Sequence, residues 1–470
     1  GGAIYNVSPD GKHWELLSVG FRNQYDAAYN AAGDLFTYDA DMEWDFNTPW
    51  YRPTRVCLVT PGSEFGWRNG AGKYPEYYPD NLPPVLNVGP GSPTGVCFGY
   101  GAKFPAKYQN AFFICDWSYG KLYAVHLQPK GSAYTGELEE FVTGTPLPLT
   151  DVVVNPVDGA MYFTIGGRKT KSGLYRVTYT GPESTAPAKD AAAPMKDARA
   201  KAEAHLGRPS ADGPAAVWPA LGSADRFESF AARAALEAQD PKIWAEKALS
   251  ETDPAKAIPA LLALARVRAP DPDHTRDKKV KGSPQLRTQV LAALGRIDVA
   301  KLADQQKIDL ARAYQVLFVR FGPPAAAERK EVLAKLSPAF PSGNRFLDGM
   351  VLEILVYLQD ATVAPRAVKA LKDAPTQEEQ IEYARSLRVL KAGWTPELRK
   401  AYFEWFVRAA GYKGGNSFAK FLKLIRDDAV LTLAPAERTA LGALLTADPA
   451  AVKLPPEPAR PFVKAYKVAA

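Results

Sequence analysis

The run Gly20-Phe21-Arg22-Asn23-Gln24-Tyr25-Asp26, with Asp34-Leu35-Phe36-Thr37-Tyr38-Asp39-Ala40-Asp41-Met42-Glu43-Trp44-Asp45 after it, decides how the first half of this sequence is read. It predicts a strand, a turn at Ala31-Ala32-Gly33, a second strand and an acidic loop. Polar groups stand where each strand begins or ends. Just upstream, residues 4–7 and 14–19 predict a hairpin around Ser8-Pro9-Asp10-Gly11. There Pro presets φ and Gly takes the position that needs φ > 0.

The rhythm continues outward. A first unit, 21–60, predicts strands near 25–30, 34–39 and 55–60. A second, 92–143, predicts strands at 95–98, 111–116, 121–127 and 138–143. A third, 149–180, predicts strands at 151–155, 160–165 and 174–179. Turn signals separate them, most clearly Asn155-Pro156-Val157-Asp158-Gly159, and argue for short antiparallel strands over βαβ units. The expected fold of 1–180 is therefore the C-terminal part of an all-β propeller, about three blades plus the hairpin. An open arc leaves edges unpaired and apolar faces wet. The remaining blades are expected from residues upstream or from another chain, and these 470 residues are expected to be an internal piece of a longer polypeptide. Between the first two units lies an insertion, 61–90, rich in Pro, Gly and aromatics, with Glu64-Phe65-Gly66-Trp67-Arg68-Asn69 and Tyr74-Pro75-Glu76-Tyr77-Tyr78-Pro79-Asp80. A long rim loop of this kind is expected to be functional.

Residues 181–194 are a Pro/Ala-rich linker that cannot build a core. From about 195 the apolar period changes from 2 to 3.6. Helices are expected at 227–236 and 258–265, the latter started by Asp253-Pro254, and near 284–296, 303–320, 326–336, 345–359, 362–373, 377–392, 396–411, 416–426 and 435–446. Short helices with apolar stripes and no catalytic cluster predict an all-α HEAT-like solenoid over 195–470.

Bulk properties narrow the function classes. Hydrophobic content of 46% and charged content of 23% are those of a folded protein, in two or three domains at this length. The net charge of +7 is spread among Asp and Glu with no basic run, which excludes nucleic acid as the expected partner. No run of 18 apolar residues occurs, so no segment is expected to span a membrane. Cys57, Cys97 and Cys115 sit in apolar strand contexts and read as buried thiols, with a Cys97–Cys115 disulfide the alternative. The four histidines are too dispersed for a zinc cluster, and no Cys-x-x-Cys-His haem-attachment motif occurs.

Several residues stand where chemistry is expected. Arg22 and Asn23 suit a carboxylate-bearing ligand or a polyol, since a guanidinium pairs in a bidentate way and Asn both donates and accepts. The alternative is that Arg22 ties two blades together through a carboxylate such as Asp39. Asp39, Asp41, Glu43 and Asp45 alternate; hard oxygens at this spacing suit calcium, and an ion-pair network with Arg52 and Arg55 or simple exposure are the other readings. Asp116-Trp117 closes a strand and could hold a sugar, the carboxylate accepting from hydroxyls and the ring covering a C–H face, or it could be a structural blade motif. Gly166-Gly167-Arg168-Lys169 ends a strand and aims Arg168 at the mouth of the ring.

The run around Arg22-Asn23 resembles the Gly-x-Arg-Asn-Pro signature of quinoprotein glucose/sorbosone-type dehydrogenases, with Gln24 where the signature has Pro and Tyr25 where those enzymes often carry Gln. With the helical half included, the sequence resembles a planctomycete and verrucomicrobial subgroup described as membrane-bound dehydrogenases. The resemblance implies a six-bladed propeller holding pyrroloquinoline quinone (PQQ) and calcium, then HEAT-like repeats and a c-type haem domain beyond this chain. It implies cofactor binding by Arg22, Asn23, Thr94 (in Ser92-Pro93-Thr94-Gly95) and Arg168, substrate binding by Trp67, Asp116 and Trp117, and metal binding by Asp39, Asp41 and Asp45. The catalytic His base would lie outside this chain. The implied activity is extracytoplasmic oxidation of a sugar or polyol with electrons passed to a cytochrome c domain. The alternative is a non-catalytic module for carbohydrate binding or protein assembly, to which Tyr25 points.

Overall fold

In the computed structural model, residues 1–68, 72–271 and 282–446 are described. Among the described residues the β half has four small sheets in succession and one separate two-stranded pair. In the first, Gly2–Val7 pairs antiparallel with Trp14–Phe21, and Ser63–Glu64 joins in parallel. The second runs Ala27–Tyr29, Leu35–Asp39, Thr54–Val59 and Leu86–Gly89 in chain order. The third runs Pro93–Phe98, Phe112–Asp116, Lys121–Lys130 and Ala133–Thr143, and the fourth Leu149–Val154, Met161–Ile165 and Gly173–Val177. The opening hairpin turns where Pro-Asp-Gly predicts, with Gly11 at φ 71° and its N–H on the Ser8 carbonyl.

The first strands of neighbouring sheets are stitched together. The Val96 N–H donates to Asp26 Oδ2 at 2.9 Å, and Thr94 Oγ1 donates to the Leu149 carbonyl at 2.9 Å. Phe36, Phe98, Phe112 and Tyr134 interleave between sheets two and three, with centroids 4.9–5.8 Å apart. At the two ends of this series apolar side chains face outward: Trp14 is 66% exposed on the first sheet and Leu174 69% on the last.

Two expectations are corrected. The strand through 20–26 stops at Phe21, because the N–H groups of Arg22 and Asn23 turn onto Asp39 Oδ1 (2.9 and 3.0 Å) and leave the ladder. The insertion 61–90 is not a free rim loop. It supplies the parallel Ser63–Glu64 pairing, a short Trp67–Arg68/Gly72–Lys73 pair and the fourth strand of the second sheet.

From Asp197 the chain is helical. The starts follow the expected chemistry: Asp225, Asp240, Asp253 and Ser283 each accept backbone N–H groups of the first turn. Helices Arg226–Glu237, Pro254–Arg268, Asp304–Phe321, Arg345–Tyr357 and Gln377–Leu387 pack one on the next in a single layer. Pro241–Ser250, Pro284–Gly295 and Ala326–Leu336 pack likewise in a second layer. Their apolar stripes form one continuous core from Ala202 to Leu441. The expected break at Thr446-Ala447-Asp448-Pro449 and the region of His274 fall outside the described residues or at their edge.

The halves are joined through side chains. No regular structure lies between Val177 and Asp197, yet Gln109 bonds the backbone of Ala186 and Ala188, and Asn110 that of Lys189. Phe227 and Phe230 leave the helical stripe and enter the β core. In return Trp50, Tyr77 and Tyr78 pack on the helical core. The Asp80 carboxylate is buried at this joint and accepts Arg312 Nε and Nη2, both at 2.9 Å, and Arg266 at 3.3 Å. Burial alone would raise the Asp80 pKa; the Arg312 and Arg266 guanidiniums outweigh it and hold the group far below the usual carboxylate range.

Candidate functional site: the rim of the sheet series

The connections that follow Phe21, Asp39, Gly89, Asp116 and Ile165 gather residues the sequence singles out. Arg22 projects from the end of Trp14–Phe21. Its guanidinium lies 4.8 Å from the Trp44 ring centroid and 5.9 Å from that of Trp67, and 3.1 Å from Glu43 Oε2. Two indoles and an exposed carboxylate thus hold a half-buried cation at the rim, with the Asn23 side chain exposed beside it. Arg22 does not tie blades together through Asp39: its backbone N–H, not its guanidinium, reaches that carboxylate.

The acidic alternation does not form a metal site. Among the described residues no group of three or more His, Cys, Asp or Glu side chains could hold an ion. Asp39 instead receives Arg55 and Lys73 at 3.2 and 3.1 Å, all three buried. Burial opposes its charge, but Lys73 and Arg55 outweigh burial and lower its pKa; burial, with Arg55 beside it, pulls Lys73 down to about 8. Of the two expected arginines only Arg55 neutralises the run, while Arg52 turns to the carbonyls of Pro49 and Tyr51. Asp41 accepts Tyr51 Oη at 3.1 Å and the Gly91 N–H at 3.2 Å, and burial raises it to about 6. Asp45 is buried in the short 3-10 helix Glu43–Asp45, with its backbone oxygen taken by Thr48. Asp39 and Asp41 are committed to different partners, and Asp45 Oδ1 is buried without one; the three do not converge on one ion site among the described residues.

Asp116 is similarly placed for structure. Its Oδ1 accepts the N–H groups of Ser92, Ser118 and Tyr119 at 2.9–3.2 Å. Its Oδ2 is buried without a hydrogen-bond partner and lies so close to Gly91 that a Cβ there would stand 2.3 Å away. Burial raises the Asp116 pKa. Trp117 donates Nε1 to the Gly166 carbonyl at 2.7 Å and lies against Gly167, whose φ of 129° and lack of a Cβ permit it. That contact fixes the base of the Gly166-Gly167 turn and leaves Arg168 exposed at its tip. Thr94 is spent: its hydroxyl is committed to Leu149 and, at 3.4 Å, to Cys115. All three cysteines are free thiols.

The expected site residues thus divide. Arg22, Asn23, Trp67 and Arg168 present groups to solvent at the rim. Thr94 and Asp39 are used internally, Asp45 is buried with one carboxylate oxygen unpartnered, and Asp116 and Trp117 support the turns. Of a carboxylated quinone's needs, the cationic and amide donors fit this set, and the calcium ligands do not. Sequence reasoning missed Trp44, Asp41's partner Tyr51, and Lys73. Lys73 lies 33 residues from its Ala40 acceptor with no local signal linking them.

No protein-family model and no curated protein matches the sequence. Two of the solved structures that match part of it are described by their similarity to this chain. One, described as a candidate oxidoreductase (glucose dehydrogenase) from Thermus thermophilus, is 21% identical over 34% of this chain and 47% of its own, with a TM-score of 0.27. The other, the PQQ-bound form of aldose sugar dehydrogenase from Streptomyces coelicolor, is 17% identical over 37% of this chain and 51% of its own, with a TM-score of 0.28. The matches span about half the length of each of those proteins. At such TM-scores the fold rests on the sheets described above and not on the likeness.

Proposed function

We propose that this chain carries part of a propeller-type ring, joined to a HEAT-like helical array, whose rim serves a quinoprotein-type oxidation of a sugar or polyol outside the cytoplasm. The observation that carries the reading is Arg22: a cation held between two indoles at a strand end, beside an exposed Asn, inside the run that resembles the dehydrogenase signature. Arg22, Asn23 and Arg168 would hold the carboxylates and carbonyls of PQQ, and Trp67 would cover one face of the ligand. When bound, the quinone supplies the two-electron acceptor. The rim residues of this chain bind and orient; the proton-accepting base and the remaining blades would come from elsewhere in the protein, and a haem domain would take the electrons. The outward-facing Trp14 and Leu174 on the terminal sheets support a ring completed by further strands.

The test is dye reduction by the protein with a panel of aldoses and polyols, with and without added PQQ. The reading expects reduction that depends on quinone and is lost in Arg22→Ala and Arg168→Ala. A folded protein that reduces nothing under any of these conditions sinks it. A non-catalytic carbohydrate-binding or assembly module is the second reading. It is favoured by the internal commitment of Thr94 and of the acidic residues expected to hold calcium.

A further inference from the structure

A concavity lies where three pieces of the chain meet: the Pro49–Arg55 stretch at the end of the connection that follows Asp39, the Tyr74–Tyr77 loop, and helices Arg345–Tyr357 and Gln377–Leu387. Its volume is ≈ 190 Å³, against the roughly 10–15 Å³ that a single water needs. One wall is aromatic. The rings of Tyr77 and Phe346 stand 4.6 Å apart at 35°, with Tyr74 and Tyr51 beside them.

The polar groups on the other walls are incompletely used. Arg52 Nε and Arg345 Nε are buried and donate to no protein atom. Arg52 Nη1 is held by the carbonyls of Pro49 and Tyr51, which fixes the guanidinium plane, and Arg345 reaches Glu379 at 3.5 Å. Glu382 lies in the same lining and accepts no hydrogen bond among the described residues. Burial, with Glu353 nearby, raises it to about 7, while the Arg345, Arg385 and Arg52 charges pull the other way. Buried polar groups in folded proteins are normally satisfied, and two guanidiniums with an unused nitrogen each and a carboxylate without a hydrogen bond, all in one lining, mark a place where a ligand or water takes up the remaining polar capacity.

The chemistry of the ligand follows from what is left over. An anion would satisfy the two guanidiniums and leave Glu382 unmatched. A cation would do the reverse. A hydroxyl donates once and accepts twice, so a neutral polyhydroxy molecule satisfies both kinds of group at once. Its C–H faces would rest on Phe346 and Tyr77. We propose that this interdomain cavity, lined by Arg52, Arg345, Glu382, Tyr77 and Phe346, is a binding site for a neutral monosaccharide-sized polyol, distinct from the Arg22–Trp67 group. Because its walls come from both halves of the chain, occupancy braces the joint.

Titration calorimetry and thermal unfolding of the full chain with glucose, galactose, mannose and xylose test this. At least one sugar is expected to bind and to raise Tm. Glu382→Gln and Phe346→Ala are each expected to weaken that binding by about tenfold, while Trp14→Ala, at an exposed position of the first sheet, leaves it unchanged. Phe346 is 41% exposed, so its variant retains the fold and keeps the test decisive. Absence of heat and of any Tm shift with all four sugars overturns the proposal. So does sugar binding that survives both cavity variants, or that is lost with Trp14→Ala. Acetate binding that is tighter than any sugar and is lost in Arg52→Gln also overturns it in favour of an anion site.

Discussion

The joint and the rim use the same side chains in opposite ways. At the joint, Asp80 is buried and is met by two guanidiniums, one of which, that of Arg312, also covers the Tyr78 ring at 4.2 Å. Every oxygen of that carboxylate is matched. At the rim, Arg22 leans on aromatic faces with one exposed carboxylate, Arg168 is in open solvent, and Asp116 keeps an unmatched oxygen. A charge that is fully matched holds structure. A charge left partly matched remains available to something that is not the protein.

The largest effect that would break this contrast is at Asp80. Asp80→Ala leaves the buried Arg312 without its counter-charge and Arg266 with Glu237 alone, at a cost of about 3–5 kcal/mol in urea unfolding. The folded-state pKa lies below the unfolded one, so the wild-type contribution is present above about pH 4 and disappears only in stronger acid. An Asp80→Ala protein as stable as wild type at pH 7 would show the joint to be incidental.

A smaller effect is expected at Asp41. Its pKa is raised to about 6, so the neutral form favours the fold. Stability then falls as pH rises from about 4 through 6, by up to about 3 kcal/mol at about 1.4 kcal/mol per pKa unit. Asp41→Asn keeps an acceptor for Tyr51 and Gly91 and should flatten that slope; an unchanged slope would place the titration elsewhere. Smallest of all is Trp67→Ala. Stability should move by no more than about 1 kcal/mol, since the indole is one of two that hold Arg22, while any quinone-dependent activity should fall sharply. Loss of stability without loss of activity would move Trp67 from the rim to the framework.

The sequence announces the parts governed by local rules. The alternation and Pro-Asp-Gly chemistry around Ser8–Gly11 and Asn155–Gly159 place strands to within a few residues, and Asp253-Pro254 marks a helix start that the backbone obeys. What it does not announce is pairing at a distance. Leu86–Gly89 follows two prolines and contains Asn87, so it carries no strand pattern, yet it completes the second sheet against Thr54–Val59. Asp39 in an alternating acidic run looks like a metal ligand until Lys73, far along the chain, is brought onto it. The aromatic run Tyr74–Asp80 carries the composition of a functional loop, and the aromatics are there to meet helices. Phe227 and Phe230 fit a helical stripe as well as Ala231 does, and nothing local says they serve a different core.

Those two phenylalanines carry a consequence for modularity. The stretch 181–194 looks like the natural place to part the chain, but the helix that follows it plugs the β core. A protease cutting there would break one peptide bond and leave a nicked pair that stays together. Shuffling one half against a relative's other half would expose a greasy plug on one piece and an empty socket on the other. The two halves are inherited as a lock with its key, and the interchangeable unit is the pair.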